Sequence, residues 1–472
     1  MIVEFSVYDT NSYTKEKLNN TKSQTVTKNV RLNEHVGEVS PCASSKESAT
    51  PSAGDTPATP PNCHTDSILL TQNQRKFKIC SLFTGCGGMD LGAVGGFEFQ
   101  SRKFSRLPTE IVFSNDIDSD ATTAYNSNLK MFHHKQEAVL GDVREIKTSD
   151  IPDFDILLAG FPCQPFSNAG NRKGVNDDNG RGTLFEVCER VLKDKIESGH
   201  KPRAFIFENV RGILSSKMPD GTTVPEEIRK RMDKLDYEVS QQLVCASDYG
   251  VPQKRYRVLI IGIDRNLAGD SVKKFDFTKL DELIQKKKIP SEKNGTGNKL
   301  VIGEILKDID EPGEYWEYSK TTQDMIEKIG PCEHGKEAIN YFKKGLDLSV
   351  MPKNITEGRS WKNVPPEQLT PRFKKIYDQP KKYHAPKFFR RFAYGEINGT
   401  ITASAQPENC GITHPVENRR YSIKEIARIQ SFPDNYDFSK IPLQSRYKVI
   451  GNAVPPVLAW CLMDTLIETL ED

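Results

Sequence analysis

Between Phe77 and Gly262 the chain repeats one arrangement: a short apolar run rich in β-formers, a polar constellation, then a helix-compatible segment. The runs are Phe77–Phe83, Glu110–Ser114, Asp155–Ala159, Ala204–Phe207, Gln241–Ala246 and Tyr256–Gly262. Near-continuous apolar runs spaced in this way predict strands buried on both faces, hence a mostly parallel sheet with helices on both sides. A doubly wound sheet of this kind gathers its site beyond the carboxyl ends of its strands. The residues just after the runs are therefore the ones to read for chemistry. Gly85-Cys86-Gly87-Gly88 follows the first run, Asn115-Asp116 the second, Phe161-Pro162-Cys163 the third and Glu208-Asn209 the fourth.

The rest of the chain has a different texture. Residues 1–74 are dominated by Ser, Thr, Asn, Lys and Pro, and Ser40–Pro61 holds almost no large apolar residue. Such a segment cannot bury enough surface to offset chain entropy, so a disordered N-terminal extension is expected, with a docking tail as the functional alternative. Over residues 266–418 the alternation fades into lysine runs, prolines and isolated aromatics, which predicts a second, irregular domain. Ser422–Gln430 and Val454–Leu470 then read as helices, the latter with prolines only at its start, where they are tolerated.

Charge is balanced, with 66 basic and 64 acidic residues. A polyanion partner would therefore need a local basic patch. Pro371–Arg391 is one candidate: Arg372, Lys374, Lys375, Lys381, Lys382, Lys387, Arg390 and Arg391 face a single acid, Asp378, with aromatics interleaved. Nucleic-acid contact and a merely solvated face are both open readings of that stretch. Ten cysteines without a C-x-x-C pair predict free thiols in a reducing compartment and no metal site. The N-terminus lacks a basic stretch followed by an apolar run, and no segment approaches the ~18 apolar residues of a membrane helix. A soluble intracellular protein is expected.

Each constellation suggests a chemistry and has a plainer reading. Phe83–Gly92 is a glycine turn between strand and helix, where the backbone can approach a ligand closely. It is not the dinucleotide fingerprint, because the third glycine position is Asp90. Asp116, at the next strand end, can accept hydrogen bonds from ribose hydroxyls. Together they point to an adenosine-bearing cofactor without a pyrophosphate; a packing turn and a solvated acid are the alternative. Asp142 is a further strand-end acid, suited to an adenine amino group or simply to a loop. Glu208 ends a very apolar strand, where it can donate or share a proton or serve as a paired structural acid. Alternation puts Arg255 and Arg257 on one face, where they need anionic or carbonyl partners. Pro162 stiffens the backbone before Cys163, a nucleophile or a buried structural thiol. Residues 168–182, rich in Gly, Asn and Asp, read as a mobile loop beside it.

Taken in order, Phe83–Gly88, Gly160–Ser167, Glu208-Asn209-Val210, Gln253–Arg257, Arg428–Pro433 and Gly451–Val454 resemble the DNA (cytosine-5)-methyltransferases, most closely the bacterial restriction–modification methylases. The resemblance covers about 77–262 and 418–470, with only Thr400-Ile401-Thr402 matching between them. It implies a Rossmann-like, S-adenosylmethionine-dependent methyltransferase fold: an α/β, doubly wound, mixed and mostly parallel sheet. The catalytic domain would span 75–265, a smaller irregular target-recognition domain 266–418, and a segment completing the catalytic domain 419–472. Phe83, Gly85, Cys86, Gly87 and Gly88 would hold S-adenosyl-L-methionine, with Asp116 on its ribose and Asp142 and Val143 at its adenine. Ile117, Pro162, Leu184, Asn452 and Ala453 would complete that pocket. Cys163 would be the nucleophile, Glu208 would meet ring nitrogen 3 and the amino group of cytosine, Arg257 its carbonyl oxygen, and Arg255 the closed loop or a phosphate.

Three positions depart from the family pattern: Ser81 for a frequent Asp, Ile117 for an aromatic in some members, and Ala453 for a frequent Ser. The implied partner is double-stranded DNA, acted on by a monomer in the bacterial cytoplasm, with no membrane and no metal. A restriction endonuclease recognising the same site is the functional counterpart. The alternatives are a tRNA cytosine-5 methyltransferase and an inactive DNA-binding paralogue. Phe161 stands where the tRNA branch usually has Pro, and Cys163, Glu208 and Arg257 are all intact.

Overall fold

The computed structural model describes residues 76–132, 136–162, 184–268, 273–293, 299–332, 335–345, 357–380, 389–404 and 412–471. The expected N-terminal extension falls outside them. Seven strands form the central sheet: β1 (Phe77–Leu82), β2 (Thr109–Asp116), β3 (Val139–Leu140), β4 (Ile156–Ala159), β5 (Ala204–Val210), β6 (Tyr237–Cys245) and β7 (Tyr256–Asp264). Their order is β3-β2-β1-β4-β5-β7-β6. The first five run parallel, and β7 is antiparallel to both β5 and β6. The sheet is thus mixed and mostly parallel, as expected. Strand order reverses between β1 and β4, and it is at such a reversal that an open sheet forms a crevice for ligands.

Period-2 alternation assigns the two faces. Ile79, Ile111, Ile156, Leu158, Ile206, Leu259 and Ile261 join one core cluster, which also holds helix α1 (Gly88–Val94). Cys80, Leu82, Phe113, Leu157, Phe205, Phe207, Val258 and Ile260 join the other, beneath α2 (Phe185–Glu197) and α3 (Val224–Lys234). Helix α3 begins at a capping box in which Thr223 and Glu226 satisfy each other's backbone N–H groups, so its start is set locally.

Two strands of the central sheet depart from the sequence expectations. Strand β3 is two residues long, and both Val139 and Leu140 are exposed, so it has no buried apolar run to announce it. Strand β6 starts at Tyr237, four residues before its apolar run, because it is an edge strand whose Glu238, Ser240, Gln241 and Gln242 are only partly buried.

The C-terminal segment returns to the sheet through α4 (Ile423–Ile429), α5 (Leu443–Asn452) and α6 (Pro456–Glu471). The stretch Leu443–Glu471 is apolar and long enough by composition to cross a membrane, yet 89% of its most apolar window is buried in the protein. It is a core element that packs on α1. Gly92 permits that approach: a Cβ there would lie 2.4 Å from Ala459 Cβ and 2.4 Å from the Pro456 carbonyl oxygen. Gly92→Ala is therefore expected to destabilise the protein by about 1–3 kcal/mol through overpacking. A urea-unfolding midpoint equal to wild type would show that the two helices have room to spare.

Residues 266–418 divide by packing. Phe277, Leu280, Leu283, Ile284, Ile302 and Ile305 belong to the core cluster shared with α1 and α6. A separate small core is built from Met325, Ile326, Ile329, Trp361, Val364, Phe373 and Phe389.

Candidate active site

The glycine turn leaves β1 with backbone that few residues tolerate. Phe83 has φ 58°, Gly85 φ 58° and Gly87 φ 83°. A phenylalanine held in the left-handed region is strained, and such strain persists where the surroundings over-determine it. Here they do. Thr84 N–H donates to the Asn115 carbonyl (3.0 Å), and Gly85 N–H donates to Asp116 Oδ2 (2.8 Å). Asp116 Oδ1 accepts from Asp118 N–H at 2.9 Å, so the acid at the end of β2 is fixed to the turn. Burial raises the Asp116 carboxyl above its usual range, and the backbone donors at Asp118 and Gly85 partly offset this.

Around the turn the two glycine regions differ. Among the described residues, a Cβ on Gly85 would meet nothing within 4 Å, so the backbone there borders space that none of them fills. On Gly88 it would lie 2.4 Å from the Val454 carbonyl oxygen and 3.1 Å from Ala453 Cβ. The C-terminal segment thus closes against the back of the turn. Cys86 lies in that seam: its thiol donates to the Val449 carbonyl (3.4 Å), its own carbonyl accepts from the Tyr436 hydroxyl, and burial raises its thiol far above the usual range.

On the β3 side, Asn115 donates through Nδ2 to the carbonyls of Val139 (2.8 Å) and Gly141 (3.0 Å), holding β3 next to Asp116. Ile117 is 65% exposed and Leu140 55%, two of five exposed large apolar residues among those described. Asp142 pairs with Arg144, whose guanidinium holds its carboxyl below the usual range. Val143 and Leu184 are buried in one apolar cluster with Phe161.

The ends of β4 and β5 come together next to the reversal. Asn209 Nδ2 donates to the Phe161 carbonyl at 3.3 Å. A Cβ on Gly160 would lie 3.5 Å from Glu208 Oε2, so the Glu208 carboxylate stands over the end of β4. Its Oε1 lies 2.5 Å from Arg257 Nε, and both side chains are about nine-tenths buried. The antiparallel register sets this pair: Arg257 lies opposite Val210, two residues past Glu208 on the same face, a diagonal within reach of a guanidinium. Pro162 is partly exposed and is the last described residue here; Cys163 and residues 168–182 lie outside the described residues.

Arg255 and Arg257 have different neighbours. Arg255 is 1% exposed and donates to the carbonyls of Ile401 (3.0 Å), Gly451 (2.9 Å) and Asn452 (3.3 Å). Gln253 and Gln430, two residues that sequence reasoning passed over as candidates, extend this joint. Gln253 Nε2 donates to Gln430 Oε1 (2.5 Å), Gln253 Oε1 accepts from Ile401 N–H (2.9 Å), and Gln430 Nε2 donates to the Ala453 carbonyl (2.5 Å). Asn452 itself is exposed and Ala453 buried. The signal for these residues is their presence inside the Gln253–Arg257 and Arg428–Pro433 stretches; what hides them is that Gln253 meets Gln430 and the backbone of Ile401 only across 177 and 148 residues of chain.

The pattern that defines the C-5 cytosine-specific DNA methylases matches residues 77–468. The chain is 32% identical over 398 residues to the type II methyltransferase M.FnuDI of Fusobacterium nucleatum, covering 84% of this chain and 95% of that one. It is 30% identical over 404 residues to the type II methyltransferase M.NgoPII of Neisseria gonorrhoeae, covering 84% and 96%. Among solved structures, the Entamoeba histolytica methyltransferase EhMeth superposes with a TM-score of 0.51 at 16% identity, over 84% of this chain and 100% of that one, a likeness of fold. A glycine turn tied to a strand-end acid, a buried Glu–Arg pair beside the end of β4, and a family match spanning nearly the whole described region lead to one assignment: the chain belongs to the C-5 cytosine-specific DNA methylases.

Proposed function

We propose that the protein transfers a methyl group from S-adenosyl-L-methionine to carbon 5 of cytosine within a specific double-stranded DNA sequence, as the modification enzyme of a restriction–modification system. The observation that carries this is the Glu208–Arg257 pair, 2.5 Å apart and buried, next to the strand end that leads into Pro162-Cys163. Its implied counterpart is an endonuclease reading the same site. A bacterial cytoplasmic enzyme acting as a monomer is the matching setting.

The residues fit the methyl donor. Space that no described residue fills borders Gly85, and the Asp116 carboxylate, with a lone pair left on each oxygen, suits a ribose diol. Exposed Ile117 and Leu140 offer apolar surface for a purine, with Asp142 and Val143 nearby in sequence. Phe83, Gly87, Gly88, Pro162, Leu184, Asn452 and Ala453 complete the proposed pocket. Cys86 contributes through its backbone, since its thiol faces the seam. When bound, S-adenosylmethionine supplies an electrophilic methyl on a sulfonium, which carbon 5 of the base takes.

The chain's own residues prepare the base. The ring is unreachable in a duplex, so the cytosine is flipped out at a cost of roughly a few kcal/mol. The Cys163 thiolate adds to carbon 6 while Glu208 holds a proton at ring nitrogen 3, and the electron pair of the broken 5,6 double bond makes carbon 5 nucleophilic. Arg257 holds the base's carbonyl oxygen and favours the thiolate electrostatically. After methylation a base removes the carbon-5 proton, the double bond re-forms and Cys163 leaves as thiolate. Arg255 and Gln253 brace the strand that carries Arg257 against the C-terminal segment. Residues 266–418, which contain the small separate core around Trp361 and Phe373, would form the target-recognition domain.

Purified protein incubated with S-adenosylmethionine carrying a labelled methyl is expected to label duplex DNA at 5-methylcytosine, read by bisulfite sequencing. Label appearing in tRNA alone, or in neither nucleic acid, would remove this reading.

A further inference from the structure

The glycine turn stands on a buried acid that the proposed chemistry leaves unused. Asp90 is 0% exposed and lies in the first turn of α1. Three hydroxyls converge on it. Ser81 Oγ donates to Oδ1 at 2.6 Å, and Thr84 Oγ1 and Tyr125 Oη donate to Oδ2 at 2.7 and 3.1 Å. Among the described residues none of its hydrogen-bond or ion-pair partners is a cation. Hydroxyl donors stabilise a carboxylate without adding a positive charge, and in a low-dielectric interior a carboxylate charge is felt over a longer distance than at the surface. Burial raises the Asp90 carboxyl above its usual range, and the three hydroxyls oppose that shift.

Its position in the sheet gives the charge a direction. Strand β1 lies between β2, which ends in Asp116, and β4, which leads into Pro162-Cys163. A donor molecule with its ribose on Asp116 and its methyl aimed toward the β4 end must cross the end of β1. Ser81 is in β1 and Thr84 is in the turn at its end, so the Asp90 carboxylate is held at the end of β1.

We propose that Asp90 is an electrostatic positioning residue, whose buried charge favours the cationic sulfonium of the methyl donor over the neutral thioether left after transfer. This rests on the functional reading above. It assigns Asp90 a part in product release: once the methyl is transferred, the attraction to the cofactor's sulfur ends.

The test is a ratio of affinities measured on the full chain by calorimetry, with S-adenosylmethionine and S-adenosylhomocysteine as the two probes. Asp90→Asn keeps the shape and removes the charge. It is expected to weaken S-adenosylmethionine roughly tenfold relative to S-adenosylhomocysteine, the effect of a single moderately screened charge pair. Tyr125→Phe removes one hydrogen bond and keeps the charge, so its ratio should match wild type. The swap S81D/D90S, which moves the carboxylate across the same cluster, should also keep the wild-type ratio, and it decides the matter if Asp90→Asn does not fold. An equal loss for both ligands in Asp90→Asn would reduce Asp90 to a prop for the turn and overturn the proposal. So would loss of selectivity in the swap. If the wild-type protein binds neither ligand, the functional reading itself falls and takes this inference with it.

Discussion

Cys163→Ala is expected to lower methyl transfer by on the order of 10⁴-fold or more, the scale of loss when a covalent nucleophile is deleted. Carbon 5 of cytosine has too little electron density to attack a methyl group until a nucleophile has added at carbon 6. Without the thiol, the glycine turn and the Glu208–Arg257 pair have nothing to activate. The adduct itself can be caught. With 5-fluorocytosine at the target position there is no carbon-5 proton to remove, so Cys163 cannot leave. Wild-type protein, duplex and S-adenosylmethionine should give a species that survives denaturing electrophoresis, and Cys163→Ala should give none. An adduct formed by the alanine variant would take Cys163 out of the mechanism, whatever the fall in rate.

The proposed nucleophile was legible as a motif because its neighbours in sequence are its context: a strand, a proline and a polar turn. The sheet was legible for the same kind of reason. Alternating burial on both faces leaves near-continuous apolar runs, and six of the seven strands carry one. What could not be read were features made by distant partners. Strand β3 exists because Asn115 reaches across to the carbonyls of Val139 and Gly141, and nothing in Val139-Leu140 alone requires a strand. Arg255 and Arg257 looked equivalent in a period-2 pattern. Their difference comes from register: Arg257 lies diagonal to Glu208, whereas Arg255 precedes β7 and meets the carbonyls of Ile401 and of Gly451 and Asn452 in the C-terminal segment. In the sequence Asp90 stands out only as the residue that breaks a dinucleotide fingerprint. Its three hydroxyl partners come from β1, the turn and the helix Ser119–Asn126, so the cluster exists only after folding.

Glu208 and Arg257 are where stability and chemistry can be separated. Glu208→Gln keeps the side chain's size but leaves the Arg257 guanidinium buried without its carboxylate, 2.5 Å away in the wild-type protein. Breaking a buried pair from one side costs about 3–5 kcal/mol, because the remaining charge is uncompensated. The same variant loses the group that holds a proton at ring nitrogen 3, worth roughly 10²–10⁴ in rate. A fall in activity alone would not tell these two effects apart. Replacing both partners does: E208L/R257L removes both charges, and a buried ion pair replaced by apolar groups of similar volume is often neutral or better for stability. The double variant is expected to recover most of the urea-unfolding midpoint lost in Glu208→Gln. Its methyl transfer should stay at or below that of Glu208→Gln. Recovery of both would make the pair a structural brace and leave the protonation of the base to another group. Recovery of stability without activity fits a pair kept ionic, at no gain to the fold, for the cytosine that enters beside it.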